Sequence, residues 1–113
     1  MNALKELTEK LEEIQYSPNM IRCAHISFYG SIDDPDFRDE GFKEYKYVDN
    51  SEEEELNKFL EFLNTEYNSG FGTEELFGKI WFWDYSWLER AEYNGSEWWE
   101  YKKYEIPDYL LNN

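Results

Sequence analysis

Leu4, Leu7, Leu11 and Ile14 recur at intervals of three and four residues. That spacing lays them along one stripe of an amphipathic helix, which Pro18 and Asn19 stop. The period then changes. Between residues 20 and 29, Ile21, Cys23, Ala24, Ile26 and Phe28 occupy both parities, the pattern of a central strand covered on both faces. Residues 30–41 read as a loop, and residues 42–48 as a strand in which Phe42, Glu44 and Lys46 alternate with Lys43, Tyr45 and Tyr47. Ser51 with Glu54 three positions on predicts a capping box, and the anionic run Glu52, Glu53, Glu54 and Glu55 suits the positive end of a helix. Leu56, Phe59, Leu60, Leu63 and Tyr67 form the apolar face of that second helix, which Asn68-Ser69-Gly70 ends. A Gly-bounded connection over residues 71–78 leads to three further strands, near residues 79–83, 87–93 and 96–104, with Ile106-Pro107 ending the last. The order α-β-β-α-β-β-β, without repeats or linkers, predicts one α+β domain over residues 1–113. It would be a mainly antiparallel sheet with two helices packed on it.

Asn94-Gly95 is a strong two-residue hairpin signal. It sets Tyr93 against Ser96, Glu92 against Glu97, Ala91 against Trp98, Arg90 against Trp99 and Glu89 against Glu100. A similar tight turn at Asp84-Tyr85 would put Trp83 opposite Ser86 and Phe82 opposite Trp87. One sheet face then collects Ile80, Phe82, Trp87, Ala91, Tyr93 and Trp98 as a core. The other collects Trp81, Trp83, Leu88, Trp99 and Tyr101, fringed by Lys79, Arg90, Glu92, Glu97 and Lys103. Either a helix covers this second aromatic face or it is an exposed patch that binds something. The facing pairs Glu89–Glu100 and Glu92–Glu97 are unfavourable. They are relieved by splaying into water or by Arg90 and Lys102, unless they form a deliberate carboxylate row.

Composition sharpens the picture. Acidic residues outnumber basic ones 26 to 11, for a formal net charge of −15, and 20% of the residues are aromatic. Chains this acidic are commonly disordered, but five Trp, ten Tyr and eight Phe provide the apolar mass to fold. A folded polyanion attracts basic partners and is repelled by nucleic acid and anionic membrane. No apolar run approaches a membrane span, the amphipathic N-terminus is no signal peptide, and the single cysteine permits no internal disulfide. A cytoplasmic protein is the expectation.

Little of the chain points to catalysis. Cys23 and His25 share a strand face, yet no third residue is indicated to orient them, so a packed core cysteine and a satisfied histidine are expected. Read as a calcium loop from Asp34, the acidic segment places Arg38 at a ligand position, Asp39 where Gly is required and Tyr45 where the bidentate Glu belongs. No metal site and no cofactor are expected. The acids concentrate instead in Asp33, Asp34, Asp36, Asp39 and Glu40, and in Glu52, Glu53, Glu54 and Glu55. Carboxylates at regular spacing on rigid elements can stand in for a row of phosphates.

The segment Trp87-Leu88-Glu89-Arg90-Ala91-Glu92-Tyr93-Asn94-Gly95-Ser96-Glu97-Trp98-Trp99-Glu100-Tyr101, followed by Ile106-Pro107, resembles one in small uncharacterised acidic proteins of bacteriophages and mobile elements. In size and acidity the chain is similar to anti-CRISPR and anti-restriction proteins that mimic nucleic acid. The resemblance implies a phage-type inhibitor, not an enzyme, acting in the host cytoplasm. It would bind a basic, nucleic-acid-handling host defence complex, as monomer or homodimer, with no direct nucleic-acid or membrane contact. An immunity protein or antitoxin neutralising a basic nuclease is the alternative; a carbohydrate-acting enzyme and a phage structural protein are others. The binding residues would be the two acidic runs, a second carboxylate cluster of Glu89, Glu92, Glu97 and Glu100, and Trp81, Trp83, Trp99 and Tyr101 as aromatic anchors if exposed.

Overall fold

The structure, a computed structural model, describes residues 1–68 and 73–111. Its order is α1 (Ala3–Ile14), β1 (Ile21–Gly30), β2 (Arg38–Val48), α2 (Glu53–Leu63), β3 (Leu76–Phe82), β4 (Trp87–Tyr93) and β5 (Ser96–Lys102), followed by a helical turn, α3 (Asp108–Leu111). The strands form one antiparallel sheet in the order β2-β1-β3-β4-β5. The α+β class and the element order are those expected from the sequence.

Both helices lie on the same side of the sheet. Phe59 of α2 stacks on Tyr47 at 5.1 Å, and Phe62 packs on Phe28 at 5.5 Å. Leu7 and Leu11 of α1 join Ile80, Phe82, Leu88 and Trp99 in the same core. Asn2 caps α1 by accepting from the Lys5 amide at 3.0 Å. Gln15, at φ 62°, ends it ahead of Pro18.

Several expectations are corrected. On the side of β1 away from the helices only the stretch near Ser27 is covered, so Cys23 and His25 are half-buried there and the cysteine is not a core residue. The 30–41 loop is shorter than expected. Gly30 already pairs with Arg38 across a bulge at Tyr29, which puts Asp39 and Glu40 on β2. The Ser51–Glu54 capping box does not form. Ser51 has φ 68°, Glu52 is the N-cap without a side-chain hydrogen bond, and Asp49 and Asn50 accept from the amides of Ser51 and Glu52. α2 ends at Leu63, so Tyr67 is buried in the core from outside the helix. Ser69 and Gly70, expected to end it, and Phe71 and Gly72 of the expected connection lie outside the described residues.

The largest correction is one of register. The β4–β5 hairpin pairs as Asn94-Gly95 dictates, but β3 and β4 pair Ile80 with Leu88 and Trp81 with Trp87. Their loop is one residue longer than a tight turn. The Phe82 amide donates to the Ser86 carbonyl at 2.9 Å, and Tyr85 sits at φ 68°. A one-residue shift exchanges faces. Leu88, Arg90, Glu97, Trp99 and Tyr101 therefore turn inward with Ile80 and Phe82. Trp87, Ala91, Tyr93 and Trp98, expected in the core, turn to the open face beside Lys79 and Trp81.

Gly78 is required where β3 crosses β1. Its φ is 135°, and a Cβ there would lie 2.1 Å from the His25 carbonyl oxygen. Gly41 also has positive φ, but its nearest neighbour would be 3.8 Å away. Gly78→Ala is therefore expected to destabilise the fold by about 3 kcal/mol or more, and Gly41→Ala by only about 1 kcal/mol. Urea unfolding of the two variants side by side checks this; equal losses would contradict the close approach of β3 to β1.

Candidate interaction surface

β2 is an edge strand, and the two acidic runs sit at its opposite ends. At its start, Asp33, Asp36, Asp39 and Glu40 are exposed. Asp34 is half-buried, and its side chain accepts from the Asp36 amide at 3.2 Å. Arg38 holds the loop by donating to the carbonyls of Ser31 and Ile32, with its guanidinium 4.1 Å over the Phe42 ring. At the far end, Glu52, Glu53 and Glu54 are exposed, and Glu55 pairs with Lys58 at 3.3 Å. The two runs are not brought together. Ten residues of strand from Asp39 to Val48 separate them by about 30 Å. The one carboxylate between them on the strand, Glu44, accepts from His25 at 2.8 Å and is held below the ordinary Glu range by that contact.

One acid that was not among the expected binding residues, Asp49, joins the far pole. Asp49 accepts from the Ser51 amide and from Trp83 Nε1, both at 2.9 Å, and these donors depress its pKa, the backbone contact first. An Asp-Asn-Ser run ahead of a helix is an Asx-turn signal from which this was readable.

The second carboxylate cluster does not exist as a surface row. Glu89 and Glu100 face each other on the open side, where Lys79 and Lys102 each lie 3.7 Å from Glu89. Relief of this pair comes from these two lysines, and Arg90, on the inner side, relieves the other pair through Glu97. Glu92 accepts from the Gly95 amide at 3.0 Å and serves the hairpin turn. The Glu97 side chain is fully buried. It accepts from the Glu75 and Leu76 amides at 3.0 and 3.1 Å and from Arg90 at 2.9 Å.

The aromatic anchors divide likewise. Trp81 and Trp83 are 37% and 51% exposed, with the Arg22 guanidinium 5.0 Å over Trp83. Trp99 is 3% exposed and lies in the core under Arg90. Tyr101 is half-buried, and its hydroxyl meets that of Tyr16 at 2.7 Å. Trp99 and Tyr101 are thus not available as anchors.

Two hollows mark the open face. One, of about 550 Å³, lies among Cys23, Lys79, Trp81, Tyr85 and Trp87. The other, of about 430 Å³, lies between His25, Asp33, Glu74, Lys79 and Glu89. Among the described residues no group of three or more His, Cys, Asp or Glu is placed to hold a metal ion, and no helix is long and apolar enough to cross a membrane. Comparison with protein-family models, curated proteins and solved structures finds no match. The function must therefore be argued from charge and geometry.

Glu74 carries the most perturbed carboxyl at this surface. Burial, then the negative charge of Glu97, pushes its pKa up from 4.5 to about 7. A carboxyl raised in this way holds its proton in the folded state. Its contribution to stability is complete below about pH 4.5 and is lost as pH rises through about 7. The depressed groups Asp49, Asp84 and Glu44 act in a separate window, losing their contribution only at lower pH, as they protonate. The wild-type chain should thus lose on the order of 1–2 kcal/mol between about pH 5 and about pH 8, solvent screening included. Glu74→Gln should be nearly flat over that range. Urea unfolding across pH decides it, and parallel curves would contradict the assignment.

Proposed function

We propose that this protein is a small acidic binder that occludes the nucleic-acid groove of a basic partner, an inhibitor of the anti-CRISPR or anti-restriction kind. The observation that carries the reading is the placement of two acidic poles at the ends of one rigid edge strand. Their separation of about 30 Å matches about nine nucleotide rises of 3.4 Å along a DNA strand. A groove built to hold several phosphates would meet carboxylates at both ends. The intervening Lys43 and Lys46 interrupt the row, so the likeness to nucleic acid is one of two anchored ends.

Binding of this kind is electrostatic and falls with salt. The partner should be a protein that itself binds DNA or RNA, and the nucleic acid should compete. The test uses basic proteins eluted from a DNA column, offered to the immobilised protein at about 50 mM and about 300 mM salt. Wild type should retain a component that duplex DNA displaces. Replacing Asp33, Asp34 and Asp36 by Lys should weaken its retention by about tenfold or more and flatten the salt dependence; the same change at Glu52, Glu53 and Glu54 should do likewise. Retention that neither set of charge reversals alters would remove the acidic edge as the binding surface.

A further inference from the structure

We propose that the open face of the sheet is a self-association surface on which two copies of this chain pack face to face. The open face of an antiparallel sheet normally alternates to polar residues. Here it presents Trp81, Trp87 and Trp98 across three adjacent strands, with Val48 and Tyr93 each 70% exposed near its margins. Several large aromatic side chains exposed on one sheet face mark an interaction site.

Charge selects the occupant. The strand positions of the face carry three lysines, Lys46, Lys79 and Lys102, against three glutamates, Glu44, Glu89 and Glu100, and its hollows add Arg22, Asp33 and Glu74, so its formal charge is +4 − 5 = −1 while the chain as a whole carries −15. Each of these glutamates already lies within 4 Å of a cationic or imidazole nitrogen on the same face. A basic protein gains nothing electrostatically here compared with the acidic edge, and a nucleic acid finds no net positive surface. A second copy meets little net like charge. A two-fold interface must also be self-complementary, and a mixed Lys/Glu row, Lys79-Glu89-Glu100, running between Trp81 and Trp87 on one side and Trp98 on the other satisfies that condition.

The size is adequate. Five strands about 4.8 Å apart and about seven residues long cover roughly 550 Å² in projection. Side-chain relief adds to that figure, and a standard interface takes about 800 Å² per partner. The hollow of about 550 Å³ beside Trp81 gives a large side chain from the partner a place to seat. Face-to-face packing leaves both helices and most of the acidic edge on the outside, with Asp33 at the interface margin, so the dimer would offer two acidic edges. The inference does not depend on what those edges bind.

Salt dependence has a distinctive sign. Two copies at −15 each repel at long range, and salt screens that repulsion. Self-association should strengthen with salt, opposite to electrostatic binding of a basic partner. Sedimentation equilibrium on the full chain at about 50 mM and about 500 mM salt tests this. A dimer with Kd at or below about 100 µM is expected at the higher salt, weakening severalfold at the lower. Trp81→Asp should weaken it by about tenfold or more, and Trp81→Phe should largely retain it. Lys79→Glu, at an exposed position, should also weaken it and serves as a second variant should Trp81→Asp fail to fold. A chain that stays monomeric at about 100 µM in both salts would overturn the proposal. So would a dimer that none of these substitutions weakens, or one that salt dissociates.

Discussion

The architecture depends on one buried guanidinium. Arg90 on β4 has a side chain 2% exposed, and it donates to Glu6 of α1 at 3.1 Å, to Glu97 of β5 at 2.9 Å and to the Tyr67 hydroxyl at 3.0 Å. Its plane lies 4.8 Å from the Trp99 ring centre. Tyr67 in turn donates to Glu6. Burial works against the charge of Arg90, but Glu6, Tyr67 and Glu97 more than offset it and its pKa is raised. Glu97 extends the network to β3 through the amides of Glu75 and Leu76. β3 and β4 pair only over Lys79–Trp81. Beyond that point the Glu97 carboxylate joins them in place of a backbone ladder. One cation thus ties together α1, the segment after α2, and three strands.

That network also decides what the surface presents. With Arg90 and Glu97 turned inward, the period-2 rule sends Glu89, Ala91, Trp98 and Glu100 outward. On the sheet strands Glu89 and Glu100 are matched by lysines and Glu44 by His25, while two runs of acids stand at the two ends of β2. An overall charge of −15 therefore resolves into a nearly neutral aromatic face, two acidic poles, and a helical layer with its own scattered acids. Electrostatic attraction and apolar association are separated onto different surfaces, with opposite responses to salt.

The local elements were legible because their signals are local. The stripe from Leu4 to Ile14, the Asn94-Gly95 turn and the register it sets needed no tertiary information. The β3–β4 loop was not legible. Tyr85 adopts a left-handed conformation in which non-glycine residues are uncommon. The loop is held by Asp84, which accepts from the Ser86 amide, and by Tyr16, whose hydroxyl reaches Asp84 and Ser86 from 68 residues away. No local motif announces that contact, and missing it reversed the faces of two strands. The same reversal made Trp99 look like a surface anchor and Glu97 like part of a carboxylate row. The acidic runs were legible as runs, but their separation along β2 depends on where the hairpin begins, at Arg38 instead of Phe42.

A double-mutant cycle on Arg90 and Glu97 tests the central role of this network most directly. Arg90→Met, Glu97→Gln and the combination are compared by urea unfolding. Each single change leaves a buried group without its partner, so each should destabilise by about 3 kcal/mol or more. The double variant should lose much less than the sum, giving a coupling of about 2 kcal/mol or more. Additive losses, with coupling below about 0.5 kcal/mol, would contradict the account, because the buried pair would then not be what joins the layers.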